Sequence, residues 1–107
     1  MQRSKYGNRK ITIDGITFDS TKEAQRYGEL KMLQRAGKIS DLELQKPFEL
    51  IPKMPGERAC YYIADFDYLD QETGKRVVED VKGYKDPVYR IKRKLMQYVY
   101  GIRIVEI

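Results

Sequence analysis

An α/β fold, a mixed sheet flanked by helices on both faces, is what this chain of 107 residues predicts. Three observations lead there. Segments near 21–36 and 86–100 carry apolar residues at helical spacing between start and stop signals. Between them, runs that alternate with period two are separated by turn residues, as in an antiparallel meander. A last alternating run, Ile102 to Ile107, follows the second helix, so a helical crossover feeds one more strand into the sheet. The length suits a single domain, 1–107, that buries roughly two thirds of its unfolded surface.

Residues 1–9 contain Arg3, Lys5 and Arg9 without an acid. They read as a flexible basic arm, either a solvated terminus or a segment that lies along a phosphate backbone. Lys10 to Ile13, Asp14-Gly15 and Ile16 to Phe18 are a hairpin signal around a tight turn, expected to pack over the next helix. Asp19 or Ser20 caps that helix, Ser20 and Glu23 have capping-box spacing, and Gly37 stops it. At about 100° per residue, Ala24, Tyr27, Leu30 and Leu33 form the apolar stripe, and Glu23 projects inside it. Glu23 is therefore either a capping side chain or a carboxylate aimed inward, and pattern alone leaves both open.

Ile39 to Glu49 reads as a connection with an extended piece at Leu42 and Leu44, and Pro47 to Pro52 as a strand bracketed by prolines. Strands follow at about Arg58 to Leu69 and Lys75 to Lys82, joined by the turn Asp70 to Gly74. Lys85-Asp86-Pro87 opens the second helix and Gly101 ends it. Val88, Ile91, Leu95, Tyr98 and Val99 are its expected inward stripe. Arg90, Arg93, Lys94 and Gln97 form the solvated side, with Lys92 at the border.

Composition narrows the function. The 21 Lys and Arg exceed the 16 Asp and Glu, and a net charge of +5 favours a polyanionic partner, most commonly nucleic acid. Cys60 is the only cysteine, so no intrachain disulfide can form and a reducing, cytoplasmic compartment is expected. Histidine is absent, which removes imidazole zinc sites and Ser-His-Asp hydrolysis. Carboxylates, lysine and an oxygen-preferring cation are left for hard catalysis. No apolar run follows the basic N-terminus, so neither a signal peptide nor a membrane anchor is expected.

The chemistry concentrates in Tyr61 to Gly83. In a strand, Asp80 and Lys82 share one face while Val81 takes the other, and hairpin pairing brings Asp65 across from Asp80. Two carboxylates and an ammonium on a mostly apolar sheet are costly to place. The bland alternative is a salt-bridged sheet face that catalyses nothing. Asp67 is a secondary candidate on Asp65's face, and Glu79 a surface or helix-facing partner of a basic residue.

The ordered set of a helix with an inward Glu23, then Asp65, then Asp80-Val81-Lys82, then a basic helix and a final strand resembles the PD-(D/E)XK nuclease superfamily. More narrowly, Lys5-Tyr6-Gly7-Asn8, Gly15 to Ser20, Tyr62 to Phe66 and Glu79 to Gly83 resemble a family of small phage proteins assigned to that fold, akin to Holliday junction resolvase-like endonucleases. The resemblance implies a restriction-endonuclease-like αβββαβ core behind a small N-terminal hairpin. It implies a metal-dependent DNA endonuclease acting on branched or structured DNA in phage recombination or replication, inside the bacterial host cell. Asp65 and Asp80 would hold Mg²⁺ or Mn²⁺, Glu23 would complete the shell from the helix, and Lys82 would orient or activate the attacking water. The backbone carbonyl of Val81 would also reach the metal. Ala64 stands where the family motif has Pro. DNA contacts are expected from Lys85, Arg90, Lys92, Arg93 and Lys94 and from Tyr84, all beside one another. A homodimer would make symmetric cutting of two strands easiest. The competing expectations are a non-catalytic nucleic-acid-binding module and a subunit of a larger DNA-processing complex.

Overall fold

The computed structural model describes residues 10–81 and 86–107. The basic arm, 1–9, and Lys82, Gly83, Tyr84 and Lys85 lie outside the described residues. Among the described residues the elements are β1 (Ile11–Ile13), β2 (Ile16–Phe18), α1 (Thr21–Arg35), β3 (Ile39–Ile51), β4 (Cys60–Asp70), β5 (Arg76–Asp80), α2 (Pro87–Tyr100) and β6 (Val105–Glu106). After the β1–β2 hairpin this is an αβββαβ order.

Local chemistry explains the boundaries. Asp14 and Gly15 both have positive φ, 54° and 76°, as a two-residue hairpin turn matched to strand twist requires. Ser20 Oγ accepts from the backbone N–H of Glu23 at 3.1 Å and starts α1. Asp86 caps α2 with its side chain on Val88 N–H, Pro87 fills the first turn, and Gly101 closes it at φ 69°.

The main sheet has the order β3-β4-β5-β6, with β3, β4 and β5 antiparallel and β6 parallel to β5. The fold is therefore α/β with a mixed sheet. Glu79 reaches Arg26 of α1, whereas its neighbour Asp80 reaches Tyr62, whose ring lies against Tyr89 of α2. Adjacent strand residues point to opposite faces, so the two helices cover opposite faces of the sheet. One core cluster gathers Phe18, Ala24, Tyr27, Leu30, Phe66, Tyr68 and Val81 under α1. The other gathers Phe48, Leu50, Tyr62, Ala64, Val78 and Met96 under α2.

Two expectations about strands need correction. Ile39 to Ile51 is one 13-residue strand, so Pro47 lies inside it, paired with Ile63, and not at its end. Proline is tolerated there because β3 is an edge strand, whose outward groups have no ladder partner to lose. The closing strand is also shorter than Ile102 to Ile107, with Val105–Glu106 alone pairing beside Glu79 and Asp80.

The alternation of side chains is reset midway along the sheet. Tyr62 and Tyr68 have the same parity on β4, yet Tyr62 bonds Asp80 on the α2 face and Tyr68 bonds Glu79 on the α1 face. On β3, Leu44 packs under α1 while Lys46 reaches Asp67 on the other side. Gln45, at φ 51°, sits between them opposite Asp65. A left-handed residue inside a strand turns the following side chains over, as a bulge does. The period of two thus holds on either side of Gln45 and Asp65 but not across them.

The second helix is rotated from its expected setting. Its buried residue is Met96, with Tyr89, Lys92 and Leu95 half-buried beside it. The predicted inward stripe of Val88, Ile91, Tyr98 and Val99 is exposed. The apolar run is real, but the sheet takes the neighbouring face, where the Tyr89 ring tilts against Tyr62 and the unbranched Met96 fills the gap. No helix among the described residues is long and apolar enough to cross a membrane.

Candidate functional site

The ladder between β4 and β5 ends at Phe66 and Glu79, which leaves Asp65 and Asp80 as the next opposing residues. Asp65 Oδ2 accepts from the backbone N–H of Val81 at 2.8 Å, and Asp80 Oδ2 accepts from the Tyr62 hydroxyl at 2.8 Å. Burial first, and then the charge of Asp80, push the Tyr62 phenol far above its ordinary range, with Asp65 adding in the same direction. Asp80 is thus anchored by the Tyr62 hydroxyl and Asp65 by the Val81 amide. Asp65 Oδ1 lies 3.4 Å from the Gln45 carboxamide nitrogen, a long and weak contact.

Tyr62 continues into a second shell of groups. Its ring centroid is 6.4 Å from that of Tyr89, and the Tyr89 hydroxyl donates to Glu106 Oε2 at 2.7 Å. Burial, followed by the bond to Glu106 and the charge of Asp80, raises the Tyr89 phenol. Arg93 Nη1 reaches the same Glu106 oxygen at 3.4 Å. A cleft of about 390 Å³ lined by Arg93, Lys94, Gln97, Arg103, Ile104 and Glu106 opens alongside. Arg90 and Lys94 are exposed and Lys92 is half-buried. The cationic side of α2 therefore adjoins the acidic pair through Tyr89 and Glu106.

Glu23 is buried on α1 and lines a small cleft of about 120 Å³ together with Phe18, Asp19, Leu44 and Gln45. Its backbone N–H takes the Ser20 cap, and its side chain is buried. Glu23 and Gln45 line this cleft together, and neither Asp65 nor Asp80 is part of its lining. Among the described residues no three carboxylates are gathered closely enough to form a metal-binding group. Lys82, Tyr84 and Lys85, the remaining candidates, lie outside the described residues.

Two nearby acids have structural partners. Glu79, 1 % exposed, accepts from Arg26 Nε and Nη2 at 2.9 and 2.6 Å and from the Tyr68 hydroxyl at 2.5 Å. It is the helix-facing partner of a basic residue. Asp67, also 1 % exposed, accepts from Arg76 Nε and Nη2 at 2.7 and 2.5 Å and pairs with Lys46 at 3.0 Å. Its role as an accessory site residue gives way to that of an ion-pair centre. Burial pushes the Asp67 carboxyl up, but Arg76 and Lys46 together outweigh it and hold the group below its ordinary value.

That depression has a consequence for acid stability. The unfolded chain takes a proton on Asp67 at the usual carboxylate pKa of about 3.9, and the folded chain only at lower pH. The contribution of Asp67 is thus complete above that value and is lost as pH falls towards the folded pKa. Asp67→Asn should cost about 1–3 kcal/mol near neutrality and less in acid, read as urea midpoints at both pH values. An equal loss at both would rule out the ion pairs as its source.

Sequence reasoning singled out Asp65, Asp80 and Glu23 as candidates and did not single out Gln45 or Tyr62, which the structure sets beside Asp65 and Asp80. Gln45 lay in a stretch read as a connection, and nothing in its neighbours announces a left-handed residue. Tyr62 could have been found, because it stands in the strand of Asp65 at a distance one large side chain can span.

A backbone amide and a carboxamide donate to Asp65 and a phenol donates to Asp80, and these bonds orient the carboxylates. An all-oxygen pair of this kind suits a hard divalent cation. No curated protein and no solved structure matches the chain. One family's sequence signature matches residues 3–105, nearly the whole length, and the chain belongs to that family, described as a protein of unknown function, DUF1064.

Proposed function

We propose that the protein is a metal-dependent DNA endonuclease of the PD-(D/E)XK kind. The observation that carries this reading is the attachment of Asp65 to the amide of Val81 beside Asp80, whose carboxylate is held by the Tyr62 hydroxyl. The αβββαβ order and the net charge of +5 support it.

Asp65 and Asp80 would hold Mg²⁺ or Mn²⁺, with the Val81 carbonyl and Glu23 as further oxygen donors. When bound, the cation supplies charge neutralisation on the phosphate and a more acidic water. Tyr62 fixes the rotamer of Asp80, and the Val81 amide fixes that of Asp65. Lys82, following Val81, would carry the ammonium that faces the phosphate. Arg90, Arg93 and Lys94 offer donors to the flanking phosphates, with Lys85 and Tyr84 next to them in sequence. Branched DNA is the expected substrate, because among the described residues no element carries a row of side chains suited to reading base edges.

The test is nicking of a labelled four-way junction, a linear duplex and a single strand, each with Mg²⁺, Mn²⁺ or chelator. Cutting that needs the metal and prefers the junction is expected. Tight, salt-dependent binding without cutting under any metal would favour the second reading, a nucleic-acid-binding module, which the absence of a three-carboxylate group among the described residues supports.

Gln45→Gly separates orientation from folding. Glycine relieves a left-handed residue, by about 1 kcal/mol, and loses a similar amount to chain entropy, so stability should stay within about 1 kcal/mol. Loss of the long carboxamide contact to Asp65 should weaken Mn²⁺ binding modestly, by about 2–10-fold, measured by calorimetry. Unchanged affinity would remove Gln45 from the site.

A further inference from the structure

The apolar row that α2 turns away from the sheet has no use in the proposed active site. Val88, Ile91, Leu95 and Tyr98 follow one another at alternating steps of three and four residues, which are the a and d positions of successive heptads. Val88, Ile91 and Tyr98 are 57 %, 59 % and 87 % exposed, and Leu95 is half-buried between this row and the core. Single exposed apolar residues need no explanation, but a continuous row along one helix does. Lys92 falls at e and Lys94 at g, one on each flank, and no acid occurs from Pro87 to Tyr100.

We propose that this seam docks an acidic amphipathic helix of a partner protein, one with apolar residues at its own a and d positions and Glu or Asp at e and g. Charge favours this occupant over the others. Antiparallel pairing of α2 with its own copy sets Lys92 and Lys94, both near mid-helix, against their counterparts, and parallel pairing gives neither lysine an acid to meet, since none occurs from Pro87 to Tyr100. Aliphatic side chains give nothing to phosphate, and Arg90 and Arg93, proposed above for DNA together with Lys94, lie outside the apolar row. A lipid surface takes a broad apolar face, whereas an a/d row is narrow. With 14 residues α2 offers only two heptads of seam, so the complex is a weak, readily exchanged one.

The experiment uses the full chain and two fluorescent peptides of about three heptads, with Leu at a and d and either Glu or Lys at e and g. Anisotropy should show the Glu peptide binding at micromolar concentrations and the Lys peptide at least about tenfold more weakly. Ile91→Asp, at an exposed position, should weaken the Glu peptide at least about tenfold while leaving the melting temperature within a few degrees. Equal binding of the two peptides, or indifference to Ile91→Asp, would overturn the proposal. So would a dimer in sedimentation that Ile91→Asp dissociates, or tighter binding to phosphatidylserine vesicles than to the Glu peptide that the same variant abolishes.

Discussion

Arg26→Met should lower the stability of the fold by about 3–5 kcal/mol, the largest loss expected from any single substitution outside the apolar core. The guanidinium makes two short bonds to Glu79, and Glu79 is buried almost completely between α1 and β5. That bond to Glu79, more than the opposing effect of burial, holds the Arg26 charge well above its ordinary range. Methionine keeps most of the stem's volume but removes the charge, so the carboxylate is left with the Tyr68 hydroxyl and no cation. Leaving one member of a buried pair is worse than removing both. Arg26→Met with Glu79→Leu should therefore recover much of the loss. Urea unfolding of the two variants measures both effects, and a single variant within about 1 kcal/mol of wild type would contradict the buried-pair account.

Asp80→Asn should reduce metal-dependent cutting by at least about 10³-fold while the fold survives. The amide is the same size and its oxygen can still accept from Tyr62, so the structural bond persists. What disappears is half of the negative charge offered to a cation by the acidic pair. DNA binding should persist or tighten, because a charge that repels phosphate is gone. Cleavage of the junction under single-turnover conditions, beside a melting curve, checks both statements. Undiminished cleavage would sink the assignment of the site.

Much of the fold was legible because its signals are local. Asp14-Gly15, Ser20 with Glu23, Gly37, Pro87 and Gly101 each act on the backbone next to them, and the hairpin and both helices begin and end where these residues place them. The site was legible for the same reason, since Asp65 and Asp80 lie on consecutive strands joined by a short turn. What failed depends on distant partners. Nothing near Gln45 marks the reset of alternation, which is seen only in where Tyr62 and Tyr68 end up. The face that α2 presents to the sheet was misjudged because apolarity was read as burial. In the structure Tyr89 and Met96 win that position through shape and ring contact, while Val88 and Ile91 stay outside.

The long strand β3 is an open edge of the sheet. Such an edge is ordinarily a hazard, since a neighbouring chain can extend it by continuous hydrogen bonding and seed a fibrous aggregate. Here the strand carries its own interruptions. Pro47 offers no N–H, and Asp41 and Gln45, both left-handed, break the straight run of backbone groups on its N-terminal side. A foreign strand can register with only a few residues before it meets one of these breaks. The same departures from regularity that shape the surroundings of Asp65 thus keep the molecules from zipping together in a crowded solution.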